Sequence, residues 1–269
     1  MSVAVLMTCH NRVETTLACL RRLMPQLSPT DCVFLVNDGS TDGTGARVRS
    51  EFPAVRVIDA DGTLYWAKGM RKAWGKAVDT GVSYDSYLWL NDDVMLKPNA
   101  LAAISADYSQ VINASSSTPV VVGACSFNGK CTYSGTDAKD LKICPNGQPQ
   151  LAEGWFNGNF VLVPRKVFAK VGVISSDYTH ARADYDYAER LKLAGIPFYV
   201  SSKYVGECPF DFAEKVRGKG LFKRLSWLWR PGYFNLHDLY LIRSRYHGHL
   251  RAMASCFRLV QLVVLGNIC

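Results

Sequence analysis

An α/β fold is predicted: a mostly parallel central sheet flanked by helices, with a basic helical C-terminal appendage. Three observations predict it. Short apolar segments alternate with polar loops and with segments of helical periodicity through residues 1–210. The polar clusters Thr8–Arg12, Asn37–Asp42, Asp59–Gly62 and Asn91–Asp93 each follow one of those apolar segments. In a parallel sheet they would share the carboxyl edge, where such sheets bind ligands. Beyond residue 210 the pattern gives way to bulky apolar residues mixed with Arg, Lys and His.

The elements follow in order. Val3–Thr8 is a buried strand, and the N-terminal residues lack the basic region and cleavage site of a signal peptide. Leu17, Leu20 and Leu23 recur at helical spacing until Pro25. Cys32–Val36 and Val55–Ile58 are the second and third strands. Met70, Ala73, Trp74 and Ala77 share one face of a helix over Trp66–Val78. The fourth strand, Ser86–Leu90, runs directly into Asn91-Asp92-Asp93. A helix over Pro98–Val111 and a strand over Val120–Ala124 come next, and residues 126–154 read as an irregular hairpin region over the cleft. Phe160–Val163 is a strand and Arg165–Val171 a short helix. A further helix begins near Tyr185 and runs through Leu193 to Gly195, and Pro197–Val200 is the last strand. Arg217–Gly220 reads as a mobile loop, and Leu221–Trp229 and Leu239–Leu265 as basic amphipathic segments. The expected division is therefore a catalytic domain over residues 1–210 and a C-terminal region over 211–269.

Composition narrows the class. At 48% hydrophobic residues the chain of 269 is a folded globular protein rather than a disordered one. Nine cysteines without a CxxC pair argue against a disulfide framework or a zinc site and suit a reducing compartment. The net charge of +8 lies entirely in residues 214–269, which hold ten Lys and Arg against Glu214 and Asp238. That placement speaks against a nucleic-acid binder and for a local anionic partner such as lipid headgroups, or for packing with a solvated basic face. No apolar run reaches the ~18 residues of a spanning helix.

Asn91-Asp92-Asp93 is the sharpest chemical signal. Adjacent carboxylates at a strand end repel each other unless a cation joins them. Strand alternation would turn Asn91 and Asp93 to one side and Asp92 to the other, presenting oxygens to a Mg²⁺ or Mn²⁺ held mainly by a substrate's phosphates. The same residue types also favour a turn.

Val36–Thr44, Asn91-Asp92-Asp93 and Ala183-Asp184-Tyr185-Asp186, in this order, resemble family 2 glycosyltransferases of the GT-A fold. Residues 62–67, 88–93, 156–164 and 180–187 are similar to blocks in bacterial members that build surface polysaccharides, including rhamnosyltransferase-like proteins. The resemblance spans residues 3–208. It implies inverting, metal-dependent transfer from a UDP- or dTDP-linked sugar, dTDP-rhamnose included, to a glycan acceptor; the basic tail suggests that the acceptor is a polyprenyl-linked glycan at the inner face of the cytoplasmic membrane.

The resemblance also implies residue roles. Thr8, Asn11 and Arg12 would line the nucleotide pocket with Asp92, and Asp38 would accept the N3–H of the base. Asp61 and Lys68 would lie near the base and diphosphate. Asp93, with Asn91 or Asp92, would bind the metal. Asp184 would be the catalytic base, while its place before a helix also suits an N-cap. Trp66, Trp155, Asn157, Asn159, His180 and Asp186 would contact the acceptor or the transferred sugar. Three departures stand out: Asn37 where an acid is commoner, Ala183 before the base, and Glu207 or Cys208 where a metal-binding His is usual. A non-catalytic nucleotide-sugar binder would have lost Asp93 or Asp184. A sugar-phosphate nucleotidyltransferase would want a glycine-rich loop after the first strand, and Thr8–Arg12 contains no glycine. An oxidoreductase would want GxGxxG there.

Overall fold

The computed structural model describes residues 1–114, 117–209, 220–231 and 235–265. Of the loop expected at Arg217–Gly220, only Gly220 lies within the described residues.

Strands β1 (Val3–Cys9), β2 (Cys32–Asp38), β3 (Arg56–Ala60) and β4 (Ser86–Leu90) pair in parallel in the spatial order β3-β2-β1-β4. Helices α1 (Val13–Leu23), α2 (Thr44–Glu51) and α3 (Tyr65–Asp79) connect them. Then follow β5 (Met95–Leu96), α4 (Ala100–Ala114), β6 (Val120–Phe127), β7 (Lys130–Tyr133), β8 (Gln150–Ala152), β9 (Phe160–Pro164), α5 (Arg165–Val171), α6 (Ala183–Leu193) and β10 (Phe198–Glu207). The sheet runs β3-β2-β1-β4-β9-β6-β10-β5, with β7 beside β6 and β8 beside β10. Only β9 and β5 run against the others along that path, so the sheet is mixed and mostly parallel.

Both faces of the sheet are covered, which is why its central strands are apolar throughout. On one face Trp74 of α3, Trp89 of β4 and Tyr187 of α6 interlock, with ring centroids 5.8 Å (Trp74–Trp89) and 5.0 Å (Trp89–Tyr187) apart. On the other, Leu17 and Leu20 of α1 and Ile104 of α4 cover Val5, Leu35, Leu88 and Leu162. Each such large buried side chain contributes roughly 1.5–3 kcal/mol. Phe156 is fully buried against Phe198. The described cysteines are all free thiols.

The C-terminal segments are α7 (Leu221–Ser226), α8 (Leu236–His247) and α9 (His249–Leu265). The single stretch expected over Leu239–Leu265 is divided by Gly248, whose φ of 86° breaks the helix. Asn235 caps α8 by accepting from the Asp238 N–H at 3.0 Å. α8 docks on the sheet-bearing part through Asp186 of α6. That carboxylate accepts from Arg245 at 2.9 Å and from the Tyr246 hydroxyl at 2.8 Å, and Arg245 also pairs with Asp177. Among the described residues no helix is long and apolar enough to cross a membrane.

Candidate active site

A cavity of about 480 Å³ opens at the carboxyl edge of β1, β2 and β4. Thr8, Cys9, His10 and Arg12 line it from the first strand and loop, Asp38 from the second strand, and Asn91, Asp92 and Asp93 from the end of β4. Tyr133 of β7 enters from the hairpin region that the sequence placed over the cleft. Asn157, Gly158 and Asn159 precede β9, and His180, Arg182, Asp184 and Tyr185 come from the start of α6.

The acidic triplet does not continue the strand. Val94 donates its N–H to the Asn91 carbonyl at 3.3 Å, so the chain turns and the expected alternation of side chains is lost. Arg12 donates from one nitrogen to Asp92 at 3.3 Å and to Asp93 at 2.9 Å. Asp92 is buried and also accepts from the Thr16 hydroxyl at 3.0 Å. Burial, then the Asp93 charge, raises its pKa to about 7 against the opposing pull of Arg12. Asp92, expected at the nucleotide, thus lines the cavity while bonded to Arg12 and Thr16. Asn91, expected as a metal ligand, lines the cavity and accepts the Trp66 indole N–H at 2.7 Å. Its N–H donates to the Asn159 carbonyl at 2.9 Å, tying β4 to the segment before β9.

Asp38 is a backbone clamp. Its carboxylate accepts from the N–H groups of Gly62 (3.0 Å), Leu64 (3.0 Å) and Tyr65 (2.8 Å), which shapes the loop into α3. The Leu64 N–H also reaches the other Asp38 oxygen at 3.3 Å, so each carboxylate oxygen accepts from two backbone donors.

Asp184 stands in the first turn of α6. It accepts the N–H of Gly158 and of Tyr185, each at 3.0 Å. Burial raises its pKa to about 6, against those two N–H groups. The segment 157–159 therefore joins the two acidic groups: Gly158 holds Asp184 and Asn159 holds Asn91. A Cβ on Gly158 would lie 2.5 Å from the Trp66 ring and 3.4 Å from the Asp184 Cβ. Only a glycine lets the indole and the carboxyl approach this closely. His180 faces the Trp66 N–H through Nδ1 at 3.4 Å, and burial lowers its pKa, so it is a neutral ring.

Five expected residues lie outside the cavity lining. Asn11 holds the 40–41 loop by accepting from the Thr41 N–H at 2.7 Å. Asp61 is exposed and closes a local turn onto Thr63. Lys68 is a half-buried residue of α3. Trp155 stacks behind Tyr185 at 4.3 Å. Asp186, expected to meet the acceptor, is completely buried among Arg190, Arg245, Tyr178 and Tyr246. Its position two residues after Asp184 turns it to the opposite side of α6.

Arg182 is a cavity residue that sequence reasoning missed, as are Tyr65, Tyr133 and Tyr185. It adopts a left-handed backbone, φ 69°, costly for a side chain with a Cβ. Burial lowers its pKa, and its Nε is buried without a hydrogen-bond partner. The guanidinium leans on the Tyr185 ring at 6.0 Å. No motif marks it; only the unpartnered nitrogen does.

The donor set for a divalent ion can be tested on these contacts. Asp93 has a side chain 32% exposed, the one hard carboxylate of the triplet open to the cavity. Its second oxygen accepts from the buried Cys208 thiol at 3.6 Å, and burial raises that thiol's pKa, so it is no thiolate ligand. Among the described residues no three ligating side chains cluster.

Residues 4–111 match the family model Glycosyl transferase family 2. Among solved structures, the chain is similar to the mannosyltransferase PcManGT from Pyrobaculum calidifontis in complex with GDP-Man and Mn²⁺. Identity is 14%, coverage is 98% of this chain and 73% of that one, and the TM-score is 0.57. It is likewise similar to S. aureus TarS 1–349, with 13% identity, 98% and 81% coverage and a TM-score of 0.57. No curated protein matches the chain. The fold is that of GT-A glycosyltransferases. The family match and this fold support a glycosyltransferase.

Proposed function

We propose that this protein transfers a sugar from a UDP- or dTDP-linked donor to a hydroxyl group of a glycan acceptor, with inversion at the anomeric carbon. The observation that carries the reading is that Asp184 and Asp93 line one cavity, linked by 157–159. The nucleotide lies along the carboxyl edge of β1 and β2. There Asp38 lines the pocket as the acceptor for the imide N–H of uracil or thymine, a donor that cytosine lacks at that position. Arg12 and Arg182 are the cavity's cations and face the negative diphosphate. Asp93 would hold a divalent ion that stabilises charge on the departing diphosphate.

Asp184 takes the proton of the acceptor hydroxyl as its oxygen attacks from the side opposite the nucleotide. A pKa near 6 leaves the group ionised at neutral pH and more basic than an ordinary carboxylate. The Gly158 and Tyr185 N–H groups fix its orientation. One displacement gives inversion without a covalent sugar–enzyme intermediate. The acceptor we assign is a lipid-linked glycan of bacterial surface-polysaccharide synthesis, met at the cytoplasmic membrane face through the basic C-terminal region.

A donor-hydrolysis panel of UDP-, dTDP- and GDP-sugars, with and without Mn²⁺, tests the reading. Turnover of a UDP- or dTDP-sugar, stimulated by Mn²⁺ and lost in Asp184→Asn with donor binding retained, is expected. Full transfer by Asp184→Asn would remove the base assignment.

A further inference from the structure

The side chains of α9 divide by angle around the helix. Ala252 and Val263 are buried, and Leu259 and Val260 pack with Leu228 into a small core shared with α7. On another flank Leu250, Phe257 and Val264 recur every seven residues and are 84, 65 and 44% exposed, and Met253 beside them is 61% exposed. A surface helix of a globular protein turns its polar residues outward; here the outward face is apolar except for Gln261. Arg251 and Arg258, one heptad apart and both exposed, edge that stripe. Beside it, Phe222 of α7 and Trp229 just after it are 89 and 76% exposed, next to the cations Lys223 and Arg230. Arg224 donates to the Val264 carbonyl at 3.3 Å, which places the basic α7 against the C-terminal end of α9.

We propose that the outer face of α9, with α7 beside it, lies in the headgroup boundary of an anionic lipid bilayer. The stripe supplies apolar side chains to the acyl boundary while its bordering Arg residues meet lipid phosphates. Charge selects this occupant over a second copy of the chain. Neither α7 nor α9 contains an acidic residue, so two such faces would oppose Arg to Arg without a counter-charge. The net positive charge of the whole chain also falls in residues 214–269. α8 transmits the placement, because Arg245 and Tyr246 fasten it to Asp186 on the helix that carries Asp184. The inference deepens the proposed function, which supplies its purpose: the attacking hydroxyl of a lipid-linked acceptor arrives from the membrane.

The experiment is co-sedimentation of the full chain with pure phosphatidylcholine vesicles and with vesicles also carrying phosphatidylglycerol, at low and high salt, with light scattering for oligomeric state. Binding to the anionic vesicles is expected, weakened by salt. Leu250→Glu/Phe257→Glu should lower it at least about tenfold, from lost apolar burial. Arg251→Gln/Arg258→Gln should lower the preference for anionic over neutral vesicles. Unchanged binding by Leu250→Glu/Phe257→Glu, absence of vesicle binding, or a wild-type dimer that this variant dissociates would each overturn the proposal. Donor hydrolysis measured on the same samples separates the two readings. Vesicle binding without hydrolysis would sink the enzyme assignment alone. Hydrolysis without vesicle binding would sink the docking surface, and with it the membrane-face acceptor, and leave the sugar-transfer assignment standing.

Discussion

Asp184 and Asp92 are carboxylates whose burial pushes them toward neutrality, to about 6 and about 7. For Asp184 this sets a pH profile: kcat/KM should fall as pH drops through about 6, because only the ionised form accepts a proton. The stability term has the opposite sign. A carboxyl group whose folded pKa lies above its unfolded one favours the protonated folded state, so these two groups add stability as pH falls through the same window. Activity loss on mild acidification without a matching fall in melting temperature is therefore the expected pairing; parallel loss of both would assign the profile to unfolding. Gly158 makes a second test at this scale. In Gly158→Ala the new methyl meets the Trp66 ring and must push it or Asp184 aside. Overpacking of this kind costs about 1–3 kcal/mol, and the displaced indole loosens its bond to Asn91. We expect modest destabilisation in urea with activity reduced at least about tenfold; wild-type activity would show that the Trp66–Asp184 spacing does not matter.

Individual elements differ in how far their residues announce them. β1, β4 and α3 carry strong apolar patterns, and their expected positions agree with the structure to within a few residues. α2 gave no signal, because in Thr44–Glu51 only Val48 is a buried apolar residue. β10 extends to Glu207, well past Val200; its irregular pairing with β6 between Val200 and Gly206 breaks the alternation that pattern reading relies on. The reversed direction of β9 was not legible either, since strand polarity follows from pairing partners rather than composition. Among these elements α6 has a double duty that only packing exposes: Asp184 faces the cavity while Asp186 anchors α8. Replacing Asp186 with Asn should strand two arginines against a neutral group and cost about 3 kcal/mol. Urea unfolding would read the loss, and limited proteolysis should then cut first within the C-terminal region. Unaltered proteolysis would mean that α8 is held by its other contacts.

Across the whole molecule the cavity is a charge ledger assembled from distant segments. The strand-end acids were legible in the sequence because parallel topology brings every loop after β1, β2 and β4 to one edge. Their pairing was not, because Arg12 meets Asp92 and Asp93 only through the turn at residues 91–94. Arg182 was not legible because burial and an unpartnered nitrogen leave no motif. This arrangement has a consequence for metal binding. Arg12 stands on Asp93, the oxygen donor through which a divalent ion would enter, so protein cation and metal compete until a diphosphate shares the charge. Arg12→Gln should therefore bind Mn²⁺ about tenfold more tightly than wild type in the absence of nucleotide, the order expected for losing one adjacent positive charge in a partly solvated site. Electron paramagnetic resonance of free Mn²⁺ during titration measures this without any turnover. Equal affinity in wild type and Arg12→Gln would remove Asp93 as the entry point for the ion, while the proton-accepting role of Asp184 would stand on its own test.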